Sequence, residues 1–181
     1  MTRWLRMLLP LVLAAQACAS QPEVVVQCRA ARGGPTIELL RSQPQLDSYQ
    51  YWIAQAETIA PVFGDAASSR GFDMQVACTG SEIPVLVFSG QFTANALQGA
   101  AMALDPTSGA FSRVDFAERN RPRWIALDGP RLSVIFENSG QESASRYLIY
   151  RTGGRIDEVD ELPSATLFEL TRDTVPAIDG R

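Results

Sequence analysis

The chain has 181 residues and a formal net charge of −4, from 16 basic and 20 acidic side chains. Every basic residue is an arginine, because the sequence contains no lysine and no histidine. This composition excludes histidine-activated nucleophiles, imidazole metal sites and lysine Schiff bases, and it leaves carboxylates as the groups for acid–base catalysis. A net acidic chain is also poorly suited to nucleic acid, where affinity depends on neutralising phosphates. We therefore predict no cofactor, no metal and no nucleic-acid partner.

The first twenty residues have the layout of a bacterial secretory signal peptide. Arg3 and Arg6 precede an apolar run from Leu8 to Ala15, and mostly small residues follow. The run is too short to span a membrane as a permanent helix, which needs about 20 apolar residues. We predict a signal peptide over residues 1–17 and a tether over residues 18–22.

The residues around Cys18 leave two processing routes open. The segment Ala14-Ala15-Gln16-Ala17-Cys18 resembles the lipobox of bacterial lipoproteins. The resemblance implies a thioether-linked lipid on Cys18. Ala19 lacks the aspartate that favours inner-membrane retention, so the implied location is the periplasmic face of the outer membrane. Ordinary cleavage before Cys18 or before Ser20 would instead give a soluble periplasmic or secreted protein.

Cys28 and Cys78 remain as one pair once Cys18 is lipidated or removed. In an oxidising compartment we predict that they form a disulfide. The alternative is two buried free thiols. A bridge across this loop would stabilise the fold by about 4 kcal/mol in the chain-entropy model.

Residues 23–171 predict a single domain with a mainly β fold, an antiparallel meander that forms a sandwich or barrel with at most one or two short helices. Residues 172–181 are predicted to be a frayed tail. The individual strands are short runs rich in apolar and β-branched residues, separated by glycine, proline and asparagine turns. The predicted strands cover residues 23–29, 36–41, 72–77, 83–89, 100–104, 110–116, 123–127, 132–136, 146–151, 155–161 and 166–170.

Two segments are ambiguous between strand and helix. In residues 49–60, alternation places Tyr49, Tyr51 and Ile53 on one face of a strand, but a helical period fits nearly as well. Residues 93–104 are rich in alanine and could form one helix. Gly99 interrupts that pattern, and residues 105–109 have the chemistry of a tight turn, which favours a hairpin.

The segment ERNRPRW contains the candidate binding residues Arg119, Arg121, Arg123 and Trp124. Pro122 keeps the segment extended, and alternation would point the three guanidinium groups to one side. Such a row could bind carboxylates or phosphates of an anionic glycan, a lipid headgroup or an acidic envelope protein, with the indole stacking on the ligand. The alternative is a solvated loop whose arginines pair with Glu118, Asp115 or Asp128.

The acidic side chains predict two further features. The run of Asp157, Glu158, Asp160 and Glu161 lacks the spacing of a calcium loop and is typical of charges that protect an edge strand. A catalytic carboxylate pair would have to come from residues near predicted loops, Asp115, Asp128, Glu137 and Glu142. The aromatic residues Tyr49, Tyr51 and Trp52 could form a platform for sugar stacking, or they could pack in the core.

These observations predict an exported bacterial envelope protein, a lipid-anchored, non-catalytic binding or structural module. Its expected partner is an envelope protein or an anionic glycan. The alternatives are a soluble periplasmic or secreted glycan-acting enzyme that uses carboxylates, and an inhibitor of a secreted hydrolase. A pocket with two carboxylates lined by aromatic rings would favour the enzyme, whereas an arginine-rich surface would favour the binding module.

Overall fold

The predicted β fold is confirmed by a computed structural model of the protein. Within the described residues the chain forms 13 strands and no helix, and every strand pairing is antiparallel. The structure describes residues 21–29, 34–80, 82–105, 109, 111–129, 131–138, 140 and 143–170. The predicted signal peptide, the lipidation residue Cys18, the candidate catalytic residue Glu142 and the predicted tail lie outside these ranges.

Eight strands form the first sheet. They are β1 Glu23–Arg29, β2 Thr36–Arg41, β3 Tyr49–Gln55, β4 Thr58–Pro61, β5 Arg70–Thr79, β6 Val85–Gln91, β7 Leu97–Leu104 and β8 Phe111–Glu118. Their order is β1-β2-β3-β5-β6-β7-β8, and β3 pairs with β5 through its first residues and with β4 through its last ones. The ambiguous residues 49–60 therefore form two strands, and the helical alternative for them is wrong.

Five strands form the second sheet. They are β9 Trp124–Asp128, β10 Arg131–Glu137, β11 Tyr147–Arg151, β12 Ile156–Val159 and β13 Thr166–Glu169. Their order is β12-β11-β10-β9-β13, so consecutive strands form a meander and the last strand returns to pair with the first. Because β12 and β13 occupy opposite edges, residues 160–165 must cross one face of the sheet. Leu162 and Ala165 pack against that face.

The first sheet curls until β1 lies close to β5, which is the fourth strand in the order of the sheet. In a flat sheet, strands β1 and β5 would be three spacings apart, about 14 Å at 4.8 Å per spacing. Instead, the Cα atoms of Cys28 and Cys78 are 5.5 Å apart, and their sulfur atoms form the predicted disulfide. The curl encloses a core that includes the fully buried side chains of Leu39, Tyr51 and Phe88.

Strands β6 and β7 are buried on both faces. In β6, Leu86 and Phe88 face the curl, whereas Val85 and Val87 face a second core shared with β9, β10 and β11. That second core contains edge-to-face aromatic pairs between Phe136 and the rings of Phe116 and Tyr150. The second sheet therefore packs on one face of β6 and β7, and the curled remainder of the first sheet packs on their other face.

The alanine-rich segment forms strand β7 because its small side chains fit between two packed layers. Residues Leu97 to Leu104 pair with Glu118 to Phe111 in a regular register, which confirms the predicted hairpin. Gly99 lies opposite Phe116, and a Cβ atom there would collide with that ring and with the carbonyl oxygen of Phe88. The Phe116 ring thus packs over Gly99, where the absence of a side chain provides the space for the ring.

We predict that removing the disulfide lowers the free energy of unfolding by about 2–4 kcal/mol, because the bridge closes a loop between residues 50 positions apart. The test is urea unfolding of the protein and of the variant Cys28→Ser/Cys78→Ser. Reductant should destabilise the first and leave the second unchanged. Equal stability of the two proteins would contradict the prediction.

Candidate functional site

Arg121 lies between β8 and β9 and acts as a structural clamp on strands β5 and β6 of the first sheet. Its Nη1 donates to the carbonyl oxygen and to Oγ of Ser89, at 2.8 and 3.0 Å. Its Nη2 donates to the carbonyl oxygen and to Oδ2 of Asp73, at 2.8 and 2.7 Å. Partial burial lowers the pKa of Arg121, and the adjacent Asp73 carboxylate partly offsets this shift. With its four acceptors, this guanidinium is engaged within the protein.

The clamp provides hydrogen-bond donors at a bulge in strand β5. The pairing of β5 with β6 shifts register between Phe72 and Gln75, and Asp73 there has a positive φ of 52°. A bulge leaves backbone groups outside the ladder, and aspartate tolerates the left-handed conformation better than most residues. Arg121 supplies the missing donors to Asp73.

Arg123 is directed at the second sheet. Its Nη1 is 3.0 Å from Oε2 of Glu137 and its Nη2 is 3.2 Å from Oε1 of Glu169. The guanidinium carbon lies 4.9 Å from the ring centroid of Trp124, so the indole already stacks on a cation of its own chain. Hydrogen bonding to Glu137 is the main cause that raises the pKa of Arg123.

The predicted row of three guanidinium groups is therefore divided. Arg119 and Arg121 both line a shallow cleft of about 320 Å³ beside residues 93–97, whereas Arg123 bridges two carboxylates of the second sheet. Residues 121–123 are not part of a strand, so strict alternation does not apply to them.

The expected acidic partners were also wrong for Arg121 and Arg123. Asp115 pairs with Arg113 and Asp128 lies near Arg131, while Glu118 is buried and accepts a hydrogen bond from the hydroxyl of Tyr150. The actual partners of the two arginines are distant in sequence and become adjacent only through the fold.

A larger cleft, of about 600 Å³, lies on the outer face of the second sheet. Strand register places the β9–β10 turn and the β11–β12 turn at the same end of this sheet. Residues 163–165, which lead into β13, form a further wall. The cleft is lined by Ala126, Asp128, Arg131, Leu132, Ser133, Arg151, Thr152, Arg155, Asp157, Pro163, Ser164 and Ala165.

Asp157 organises the arginines of this cleft. Its Oδ2 accepts from Nε of Arg151 at 2.5 Å, and its Oδ1 accepts from Nε of Arg155 at 2.7 Å. Nη1 of Arg151 donates in turn to Oγ of Ser133, at 3.1 Å. Hydrogen bonds from Arg151, and then from Arg155, hold the pKa of Asp157 below its ordinary value of 3.8. The carboxylate is thus kept ionised and unsuited to act as a general acid at neutral pH.

Sequence reasoning missed the cleft residues Arg131, Arg151 and Arg155. The available signal was their position, because each lies next to a predicted turn, at Gly129-Pro130 or Gly153-Gly154. In an up-and-down meander, alternate turns meet at the same end of the sheet. Arginines beside such turns are therefore candidates for one shared site.

The other candidate groups have structural roles. The acidic run begins in edge strand β12, as predicted, and Asp157 is its residue bound to arginine. From the proposed catalytic set, Asp115 and Glu137 pair with arginines, and Asp128 lies 3.9 Å from one. Tyr51 is fully buried, and the Tyr49 ring lies 6.2 Å from it against the same core. Trp52 is half-buried on the opposite face of β3.

No protein-family model matches the chain, and no curated protein or solved structure is significantly similar to it. Among the described residues, no helix is long and apolar enough to cross a membrane. The described part of the chain also holds no group of three or more cysteine, aspartate or glutamate side chains placed to bind a metal ion.

We predict that Arg121→Ala destabilises the protein by about 1–3 kcal/mol, because the acceptors on Ser89 and Asp73 lose their donor. Thermal or urea unfolding measures the change. The matched control is Arg131→Ala, which removes an equal charge from an exposed site and should change stability by less than about 0.5 kcal/mol. Equal effects of the two substitutions would contradict the clamp.

We predict that Asp157→Asn costs stability at neutral pH and progressively less in acid. The pKa of Asp157 is lowered in the folded state, so its contribution is fully present above the ordinary value of 3.8 and is lost as pH falls through the lowered pKa of the folded state. Unfolding free energies of both proteins between pH 7 and pH 3 measure the difference. Glu57→Gln, which changes an exposed carboxylate in the turn between β3 and β4, is the control. A difference for Asp157→Asn that stays constant with pH would contradict the assignment.

Proposed function

We propose that the protein is an exported, non-catalytic binding module of the bacterial envelope, anchored to the periplasmic face of the outer membrane by a lipid on Cys18. The observation that carries the binding role is that carboxylates lining the clefts lie against arginines. Asp73 and Asp157 are each bound to arginine, and Asp128 lies near one. A glycan-acting enzyme needs one carboxyl group with a raised pKa, and Asp157 has a lowered one.

The lining of the largest of these clefts supports the same choice. It contains two aspartates, which an enzyme would need, but its described residues include three arginines and no aromatic ring. Guanidinium groups are suited to recognising oxyanions. The chemistry of the cleft is that of a receptor for an anionic ligand.

The disulfide supports export. Such bonds persist in the periplasm and outside the cell, and they are rare in the reducing cytosol. The bridge joins β1 to β5 and closes a loop between residues 50 positions apart. An oxidising compartment is the environment in which this loop is stable.

We predict that the protein, expressed with its own leader, has a mature chain that begins at Cys18 and carries diacylglycerol. Intact mass spectrometry of the membrane fraction measures this directly, and reduction should add the mass of two hydrogen atoms. The control variant Cys18→Ser should lose the lipid and leave the membrane fraction. An unmodified soluble chain would contradict the anchor, and an uncleaved chain in the cytoplasm would contradict export.

A further inference from the structure

The geometry points to a specific ligand class for the cleft on the second sheet, which we call the arginine cleft and define by Arg131, Arg151, Arg155 and Asp157. We propose that it binds an acidic sugar through the carboxylate or phosphate group of that sugar. The inference rests on the proposed binding function and adds to it the site and the chemistry of the ligand. It does not depend on the lipid anchor.

The first argument is the way in which two guanidinium groups are held. Arg151 and Arg155 both donate to Asp157 through Nε, the nitrogen nearest the backbone. This contact orients each group, and neither of the two bonds to the carboxylate uses a terminal nitrogen. In the described part of the chain, neither terminal nitrogen of Arg155 has an acceptor, and Nη2 of Arg151 has none. The two terminal nitrogens of Arg155 are adjacent donors in the fork geometry that recognises oxyanions.

Arg131 supplies a further cation at the facing turn. Its side chain is 80% exposed, and its Nη1 is 3.9 Å from Oδ2 of Asp128, which is beyond a hydrogen bond. An exposed ion pair of this length contributes little free energy. Arg131 can therefore turn toward a ligand at small cost, and it would complete the contact from the side opposite Arg155.

The charge of the cleft opposes that of the chain. Its lining holds three arginines and two aspartates, a local balance of +1, whereas the whole sequence carries −4. An overall acidic surface repels anions, so binding must depend on short-range contacts with these donors rather than on long-range attraction. This combination favours a small ligand with one localised negative group over an extended polyanion.

The remaining lining is suited to the body of a sugar. The volume of about 600 Å³ lies within the range of about 300–1,000 Å³ typical of small-molecule sites. Thr152 and Ser164 contribute hydroxyl groups that can donate or accept, while Pro163 and Ala165 present small apolar surfaces. A ring with several hydroxyls and one oxyanion matches this distribution of groups.

Arg121 and Arg123, from the predicted arginine row, do not offer the same site. Arg121 has its four acceptors within the protein, and Arg123 bridges two carboxylates. Their cations are already neutralised or committed to structure. The arginine cleft differs because its internal carboxylate orients two guanidinium groups without using all of their donors.

The test is calorimetric titration of the full chain carrying Cys18→Ser with galacturonic acid, glucose 6-phosphate, inorganic phosphate and neutral galactose. We expect at least one acidic sugar to bind with a dissociation constant below about 1 mM, more tightly than inorganic phosphate and far more tightly than galactose. Binding of the uronate or of the sugar phosphate identifies which oxyanion is preferred. Binding of neither acidic sugar, or equal binding of galactose, would overturn the proposal.

The variant Arg131→Ala/Arg155→Ala separates the cleft from general charge effects. Affinity for the preferred sugar should fall about 100-fold, since each arginine contributes a charge-assisted contact. The matched control, Arg29→Ala/Arg146→Ala, removes two exposed arginines outside the cleft and should leave affinity within about threefold. A loss of equal size in both variants would overturn the proposal. The mass measurement tests the anchor separately, so failure of one proposal is distinguishable from failure of the other.

Discussion

The burial of β6 and β7 on both faces is the constraint on which the rest of this structure depends. A strand with two buried faces needs a packed layer on each side. The first layer comes from the same sheet, which curls until β1 meets β5 at the Cys28–Cys78 disulfide. The second layer is the β9–β13 sheet. The disulfide therefore stabilises one of the two layers that the central strands require.

Arginine as the sole cation determines how irregular segments are held. A guanidinium group can donate to several acceptors in one plane, which an ammonium group cannot do with the same geometry. Arg121 uses this property to satisfy a bulge on β5 from a loop between the two sheets. Asp157 reverses the arrangement, since one carboxylate there orients two arginines. In the first case the donors bond within the protein, and in the second case several have no acceptor among the residues that the structure describes.

Much of the fold could be predicted from the sequence because strand signals are local. β1 and β2 begin and end at the predicted residues, and the hairpin between β7 and β8 was anticipated from Gly99 and the turn chemistry. The ambiguity over residues 93–104 had a physical origin, since alanine favours helices when only local propensity is considered. Packing between two layers reversed that preference. The partners of Arg121 and Arg123 were missed because they come from strands 14 to 48 residues away.

The arginine cleft could not be predicted from the sequence because it also depends on the path of the chain in three dimensions. The same path leaves the cleft open to solvent. Residues 160–165 cross the outer face of the second sheet from Val159, beside Tyr147, to Thr166, beside Leu127. Their apolar side chains cover the middle of that face, so one corner is left between the crossing segment and the two turns. Antiparallel sheets commonly leave one face to solvent, and this open corner holds arginines with donors that have no acceptor in the described part of the chain. The path of the crossing segment therefore decides which corner of the sheet stays open.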